Sequence, residues 1–251
     1  MIQRLKPVVE LNSDGWPALL KKYKLEGVMS SAHVQLLWQR VQHAIEPDIW
    51  YTVQIPEFRE EAVPFSDTQT GDGGGRSTDL EAEKDRGSDE AMTVLAAATL
   101  GEGMDTLLEA WSGKGQILDS YAADCLAMEA LQCVYSLLED ELLKQNLYIT
   151  EYCFPEPETG GNSGDNGMAA ILRRLQCGEH ISLTEEGTLR PLKSVVFSGI
   201  LTHDGEKRCS TICANCSRTD CPNRHSLHMG NYREPGALKY SYGYQRIFGR
   251  S

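Results

Sequence analysis

Four cysteines near the end of the sequence have the types and spacing best suited to chemistry. Cys209, Cys213, Cys216 and Cys221 follow the pattern C-x3-C-x2-C-x4-C. Loops this short bring thiolates together at low entropic cost, and thiolates bind soft centres such as Zn and the iron of iron–sulfur clusters. The spacing therefore predicts a metal site.

The identity of the metal follows less directly from the spacing. Structural Zn usually uses two C-x2-C pairs separated by a longer loop. Here a single tight run is followed by Pro222, as in many cluster-binding runs. An iron–sulfur cluster is therefore favoured, with Zn as the alternative. The first three cysteines also have radical S-adenosylmethionine (SAM) spacing, but Asn215 stands where that class usually has an aromatic residue. A metal that only staples the C-terminal tail is a third possibility.

The elements that would position this site alternate irregularly between helix and strand. Apolar residues at spacings of three and four predict helices, over residues 31–46, 103–111, 119–146 and 168–176. Ser30 or Ser31 is expected to cap the first of these helices, and Asp119 or Ser120 the third. Apolar, β-branched and aromatic runs predict strands, over residues 49–55, 93–100, 148–154 and 193–201, with a hairpin over 181–189. The absence of a regular βαβ period predicts an α+β fold with a mixed or antiparallel sheet and flanking helices.

Composition divides the chain further. Residues 63–92 are rich in Gly and charge and poor in apolar residues, so they predict a flexible insertion. It separates an N-terminal part, residues 1–62, from a core, residues 93–207. The Cys cluster, residues 208–224, and a C-terminal tail, residues 225–251, complete the expected organisation.

Charge and hydropathy argue against two kinds of partner. The formal net charge is −12, and Lys and Arg are scattered, so nucleic acid is not expected to bind. No apolar run approaches the length that spans a bilayer, and no signal peptide is recognisable. We therefore expect a cytoplasmic protein with no membrane partner.

Several segments, read in order, resemble the reactivation domain of cobalamin-dependent methionine synthase. They are Thr99-Leu-Gly-Glu-Gly-Met-Asp105, residues 118–131, Ile181-Ser-Leu-Thr-Glu-Glu-Gly187 and Pro191-Leu-Lys-Ser-Val-Val-Phe-Ser-Gly-Ile200. The resemblance covers residues 30–60 and 93–205. The step Cys221-Pro222-Asn223-Arg224 is similar to the end of the Cys cluster in stand-alone members. The resemblance implies a methionine synthase activation domain-like α+β fold.

The same resemblance implies a function. The chain would be an accessory subunit for a corrinoid-dependent methyltransferase such as methionine synthase. It would cover the partner's cobalamin, admit an electron from a donor and present SAM, and so be at most a reactivation component of that enzyme. The residues implied to contact these cofactors are Glu129, which would face SAM, and Thr184, Glu185 and Ser194, which would lie near the corrin edge. On a second interpretation, Glu129 lies on the solvated side of its helix.

The sequence departs from the family pattern at two places. Residues 151–161 lack the Arg and the Pro-Gly-Tyr step with which the family holds SAM, and they are acidic instead. The family's paired Tyr after the last strand is also absent, and the Cys cluster begins there, which suggests an electron relay. The alternative function is a non-catalytic, metal-stabilised module that only docks on a corrinoid protein.

Overall fold

The structure is a computed structural model, and it describes residues 1–11, 16–55, 91–155, 167–209 and 240–246. Eight strands lie in these ranges: β1 (Gln3–Leu11), β2 (Asp48–Gln54), β3 (Thr93–Thr99), β4 (Tyr148–Cys153), β5 (Ser182–Leu183), β6 (Leu189–Arg190), β7 (Ser194–Thr202) and β8 (Tyr240–Arg246). The helices are α1 (Trp16–Lys22), α2 (Ser31–Ala44), α3 (Gly103–Gly113), α4 (Ile117–Leu143) and α5 (Met168–Arg174).

Six of the strands form one sheet in the order β4-β7-β3-β2-β1-β8, and every neighbouring pair is antiparallel. Within the described part of the chain, β5 and β6 pair only with each other, as a small hairpin. Helices and an antiparallel sheet together confirm the predicted α+β class. The fold of the described residues contains no helix long and apolar enough to cross a membrane.

The sheet is covered by apolar packing on both faces. Tyr51 and Phe197 pack in the larger buried cluster with the helices α1 to α4. Trp50, Leu95 and Val196 pack in the smaller cluster with α5. Because successive strand residues point to opposite faces, β3 is buried on both sides. This double burial explains why its sequence is a continuous apolar run rather than an alternating one.

The helix caps agree with the sequence at one position and differ at another. Ser30 caps α2, since its hydroxyl accepts a hydrogen bond from the His33 backbone N–H at 3.2 Å. The predicted cap of the long helix at Asp119 or Ser120 is wrong. The helix α4 begins at Ile117 without a side-chain cap, and the Asp119 carboxylate is 2.8 Å from His33 Nε2 instead.

The buried face of α4 also differs in part from the apolar stripe that the sequence predicts there, which consists of Tyr121, Cys125, Met128, Leu131, Tyr135, Leu138 and Leu142. Cys125, Leu131, Leu138 and Leu142 are buried as expected. Tyr121, the first residue of that stripe, is 46% exposed. Its neighbours take its place in the core: Ala122, Leu126 and Ala130.

Three observed elements are not predicted by the sequence pattern, and two predicted segments lie mostly outside the described residues. The pattern gave no indication of β1, α1 or β8, and residues 225–251 were not assigned any structure. The predicted insertion lies almost entirely outside the described residues, as does most of the Cys cluster.

Candidate functional site

The turn that follows β3, residues 99–105, is built on two glycines with different requirements. Gly101 has φ +82°, a region that favours glycine, and its N–H donates to Thr99 Oγ1 at 3.1 Å. A Cβ on Gly103 would lie 2.2 Å from the carbonyl oxygen of Ala44 at the end of α2. The turn can therefore lie directly against α2 only because neither position carries a side chain.

The start of β7 lies beside this turn. Ser194 Oγ donates to Thr99 Oγ1 at 2.7 Å, and the Leu100 N–H donates to the Lys193 carbonyl at 2.9 Å. One residue earlier, the Leu192 N–H donates to the carboxylate of Asp105 at 2.9 Å. Two of the segments that carry the family resemblance are thus in direct contact at one end of the sheet.

An open groove of about 780 Å³ lies next to this contact. We call it the β1 groove. Its volume lies in the range of small-molecule and cofactor sites. Its walls come from four separated stretches of chain: residues 4–8, 44–48, 99–103 and 179–191. Charged residues of both signs line it: Arg4, Lys6, Glu46, Asp48, Glu102 and Glu179, together with His180.

A stack of planar groups is fixed at the groove. The Arg4 guanidinium donates to both carboxylate oxygens of Asp48, at 2.9 and 2.6 Å. The same guanidinium lies 4.9 Å from the ring centroid of Trp50, and the His180 ring stacks on that indole at 5.1 Å. The hydrogen bond to Asp48 raises the pKa of Arg4 above its usual value. Arg4 is therefore a fixed cation with little freedom to move.

The hairpin residues predicted to lie near a corrin edge are placed at its tip. Thr184 closes the turn, since its N–H donates to the Thr188 carbonyl at 2.9 Å and its Oγ1 accepts from the Thr188 N–H at 3.2 Å. A hydrogen bond from the Thr184 side chain lowers the pKa of Glu186. Glu185 is exposed. The base of the hairpin, at Pro191, lines the groove, whereas Thr184 and Glu185 do not.

Glu129 lies in the helical layer, away from the other predicted residues. It is only 3% exposed, so the interpretation that placed it on a solvated helix side is wrong. Its carboxylate accepts a hydrogen bond from the Tyr23 hydroxyl at 2.5 Å and pairs with Lys22. Burial and this carboxylate raise the pKa of Tyr23. The residues that pack around Glu129 belong to the cluster on the α1–α4 face, opposite the face that carries Arg4 and Trp50.

The first cysteine of the predicted metal site is held at the other end of the sheet. The Cys209 N–H donates to the Ile149 carbonyl at 2.8 Å, and Arg208 pairs with Glu139 at 3.0 Å. Cys213, Cys216 and Cys221 lie outside the described residues. Within the described ranges, no group of three or more His, Cys, Asp or Glu could hold a metal ion.

The groove residues that β1 contributes were not among those predicted from the sequence. Arg4, Lys6 and Val8 occupy one face of β1, while Leu5 and Val9 of the same strand are buried. This alternation is the signal that could have predicted the strand. The contribution of His180 could not have been found in this way, because it depends on stacking with a residue far away in sequence.

The chain was compared with family models, curated proteins and solved structures. No family model matches the chain, and no curated protein matches it. A crystal structure of the MetH reactivation domain bound to AdoHcy is similar with 14% sequence identity and a TM-score of 0.46. The match covers 80% of this chain and 78% of that one.

Proposed function

We propose that this chain is an accessory subunit that covers the corrin of a partner methyltransferase and promotes its reductive methylation. One observation carries the proposal. The turn at residues 99–105 and the segment from Pro191 to Ser194 both belong to the family resemblance, and they meet beside a groove of about 780 Å³. A groove open on one side is suited to a flat cofactor that another protein carries.

The groove residues fit the periphery of such a cofactor. A corrin ring is edged by amide side chains, which both donate and accept hydrogen bonds. Lys6, which is about half exposed, and His180 can donate, and Glu102 and Glu179 can accept. Arg4 is already engaged by Asp48, so its role is to keep the floor of the groove rigid. The contacts predicted for Thr184, Glu185 and Ser194 would extend this surface along the hairpin.

The reaction would proceed in two steps on the partner's cobalt. The partner's corrinoid would supply the methyl-accepting cobalt after an electron donor had reduced it. SAM would supply the methyl group, and S-adenosylhomocysteine would be the leaving product. The part of this chain would be to exclude water and hold the reacting groups in line. Glu129 remains the predicted SAM-facing carboxylate, and Lys22 and Tyr23 would have to release it before it could bind a ligand.

A specific observation favours the second candidate, a metal-stabilised module that docks without catalysis. The Cys209 backbone N–H donates a hydrogen bond to the Ile149 carbonyl, and Ile149 pairs with Leu201 of β7. Ser194 begins the same strand. The Cys209 contact and Ser194 are therefore about 23 Å apart at the usual rise of an extended strand. A metal held by Cys209, Cys213, Cys216 and Cys221 would then lie far from the groove, which suits a staple better than an electron relay.

Anaerobic purification followed by mixing would separate the two candidates. The protein is analysed for iron, sulfide and Zn, and is then added to a cob(II)alamin-loaded methionine synthase that lacks its own reactivation domain, with reductant and SAM. The accessory role predicts methylcobalamin formation, followed by its visible spectrum, only when this chain is present. Tight binding without methylation, together with one Zn per chain, supports the docking module. Absence of both binding and methylation contradicts both candidates.

The groove itself can be tested with a charge reversal. Lys6→Glu changes a half-exposed side chain that lines the groove. It should weaken binding to the cobalamin-loaded partner at least several-fold. The groove loses the hydrogen-bond donor that Lys6 provides and gains a further negative charge beside its acidic residues. Lys21→Glu, at an exposed position of α1 outside the groove lining, is the matched control and should bind as the wild type does.

A further inference from the structure

We propose that Asp105 is a positioning residue for the corrinoid partner, because its carboxylate ties the hairpin to the start of α3 and so fixes the width of the β1 groove. The inference rests on the proposed function and names a further residue of the same site. Asp105 was recognised in the sequence only as the last residue of a motif, without a role.

The position of the hairpin depends on a contact of this kind, because its strands are not paired with the six-stranded sheet. The strands β5 and β6 are two residues each and, among the residues that the structure describes, form hydrogen-bonded ladders only with each other. An isolated two-stranded hairpin is marginally stable in water. Its position relative to the groove must therefore be set by contacts at its base.

Asp105 supplies the contact from the opposite wall. Its Oδ2 accepts the Leu192 N–H at 2.9 Å, across 87 residues of sequence, and lies 3.9 Å from Arg190 Nη1. The residue stands in the first turn of α3, which the close approach of Gly103 to Ala44 holds against α2. A side chain on a rigid helix thus holds the backbone of a short loop.

The two ends of this tie lie next to the groove lining. Gly103 precedes Asp105 by two residues, and Pro191 immediately precedes Leu192, and both line the groove. If the tie were lost, Pro191 could move away from Gly103. The groove would then widen on the side where the predicted corrin-edge residues lie.

The second carboxylate oxygen of Asp105 takes no part in this contact within the described residues. Asp105 Oδ1 is buried and has no hydrogen-bond partner among the described residues. A buried acceptor without a donor carries a free-energy cost, so it requires an explanation. The Arg190 side chain is 51% exposed and close enough to turn toward this oxygen. A docked partner would exclude water here and strengthen the attraction between the two charges.

Three variants test the inference. Asp105→Ala removes both contacts, and Asp105→Asn keeps an acceptor for the Leu192 N–H but loses the charge that attracts Arg190. Asp204→Asn is the matched control, since Asp204 also closes a turn, by accepting the Glu206 N–H at 3.0 Å, but after the far end of β7. The probe is the cobalamin-binding domain of a methionine synthase loaded with cob(II)alamin. Its affinity is measured by titration, and hydrogen exchange is followed in peptides that cover residues 184–194.

Asp105→Ala should weaken binding of the probe about tenfold, as the loss of a charged hydrogen bond implies, and should speed exchange at Leu192. Asp105→Asn should weaken binding less, with exchange at Leu192 nearly unchanged, and it decides the matter if the Ala variant does not fold. Wild-type affinity in both Asp105 variants would overturn the inference while leaving the proposed function intact. A wild-type protein that does not bind the probe would instead remove the proposed function, and the inference with it.

Discussion

Ser194 and Thr99 are joined by a hydrogen bond of 2.7 Å between their hydroxyl groups, although 95 residues separate them in the sequence. Thr99 is 3% exposed, and it also accepts the Gly101 N–H. One buried hydroxyl group therefore joins the end of β3, the turn that follows it and the start of β7.

Replacing this hydroxyl should destabilise the whole protein. Thr99→Val keeps the shape but leaves the Ser194 hydroxyl and the Gly101 N–H without their acceptor. The free energy of unfolding should fall by about 2 kcal/mol, and by about 1 kcal/mol in Ser194→Ala, where one bond is lost. Urea denaturation measures both. Thr52→Val, at a partly exposed position of β2, is the control. Equal stability of the Thr99 variant and the wild type would contradict the role given to this hydroxyl.

Gly103 should tolerate no side chain at all. Gly103→Ala would place a Cβ 2.2 Å from the Ala44 carbonyl oxygen, so α3 would have to move away from α2. Overpacking of this kind costs about 1–3 kcal/mol. Gly113→Ala, at the end of the same helix, meets nothing within 4 Å and should be neutral or slightly stabilising. Thermal unfolding of the two variants in parallel gives the comparison, and similar melting temperatures would refute the packing explanation.

The elements that the sequence predicted are those whose signal is local. The helix α2 carries its own cap and apolar stripe, and β3 its own apolar run, so neither needs knowledge of its partners. In contrast, β1 joins the sheet only by pairing with β2 and β8, and α1 is only seven residues long. The helix α1 is therefore too short for a clear periodic signal, whereas the alternation along β1 is long enough to indicate a strand but not its partners.

The candidate site was predictable only in part for a similar reason. Residues 99–105, which were singled out through the family resemblance, include residues that form one wall of the groove. The stack of Arg4, Trp50 and His180 has no such signal, since its members come from three distant parts of the chain. Glu129 was singled out because the family resemblance implies a SAM-facing carboxylate there, and its pairing with Lys22 could be found only in three dimensions.

The Glu129 network offers a direct test of whether this acid stabilises α1 or binds a ligand. Glu129→Gln leaves Lys22 without its counter-charge in a largely buried position, which should cost about 2–4 kcal/mol of unfolding free energy. Tyr23→Phe should cost about 1 kcal/mol. Because both act on one network, the double variant should cost less than the sum. Glu109→Gln, exposed on α3, is the control.

A role of Glu129 in SAM binding predicts the opposite result for the same variant. If Glu129 contacts SAM and contributes little to the fold, Glu129→Gln should keep the wild-type unfolding free energy and lose SAM binding. Calorimetric titration of SAM into both proteins, beside the denaturation series, separates these possibilities. A variant that loses stability but keeps any SAM affinity of the wild type would assign Glu129 to the attachment of α1.

The connection between β2 and β3 should be replaceable by a short turn. Gln54 and Thr93 pair directly across the two strands, so the chain leaves and re-enters the sheet at adjacent positions. Substituting Asn-Gly for residues 57–90 should retain the fold and, because loop closure costs less, raise the unfolding free energy by about 1–2 kcal/mol. Circular dichroism and urea denaturation test this. An unfolded product would show that residues 57–90 contribute to the fold.

The buried thiols should make stability fall at alkaline pH. Burial raises the pKa of Cys177 to about 11, and that of Cys125 likewise. A thiol in the unfolded chain ionises near pH 8.5, so the stabilisation is complete below that pH and is lost as pH rises toward 11. Cys177→Ala should therefore show a smaller decrease in urea midpoint between pH 8 and 10.5 than the wild type. Leu175→Ala, which opens a cavity in the same cluster without removing a titrating group, should keep the wild-type slope. Identical slopes for all three proteins would mean that Cys177 ionises at the same pH in the folded and unfolded chains.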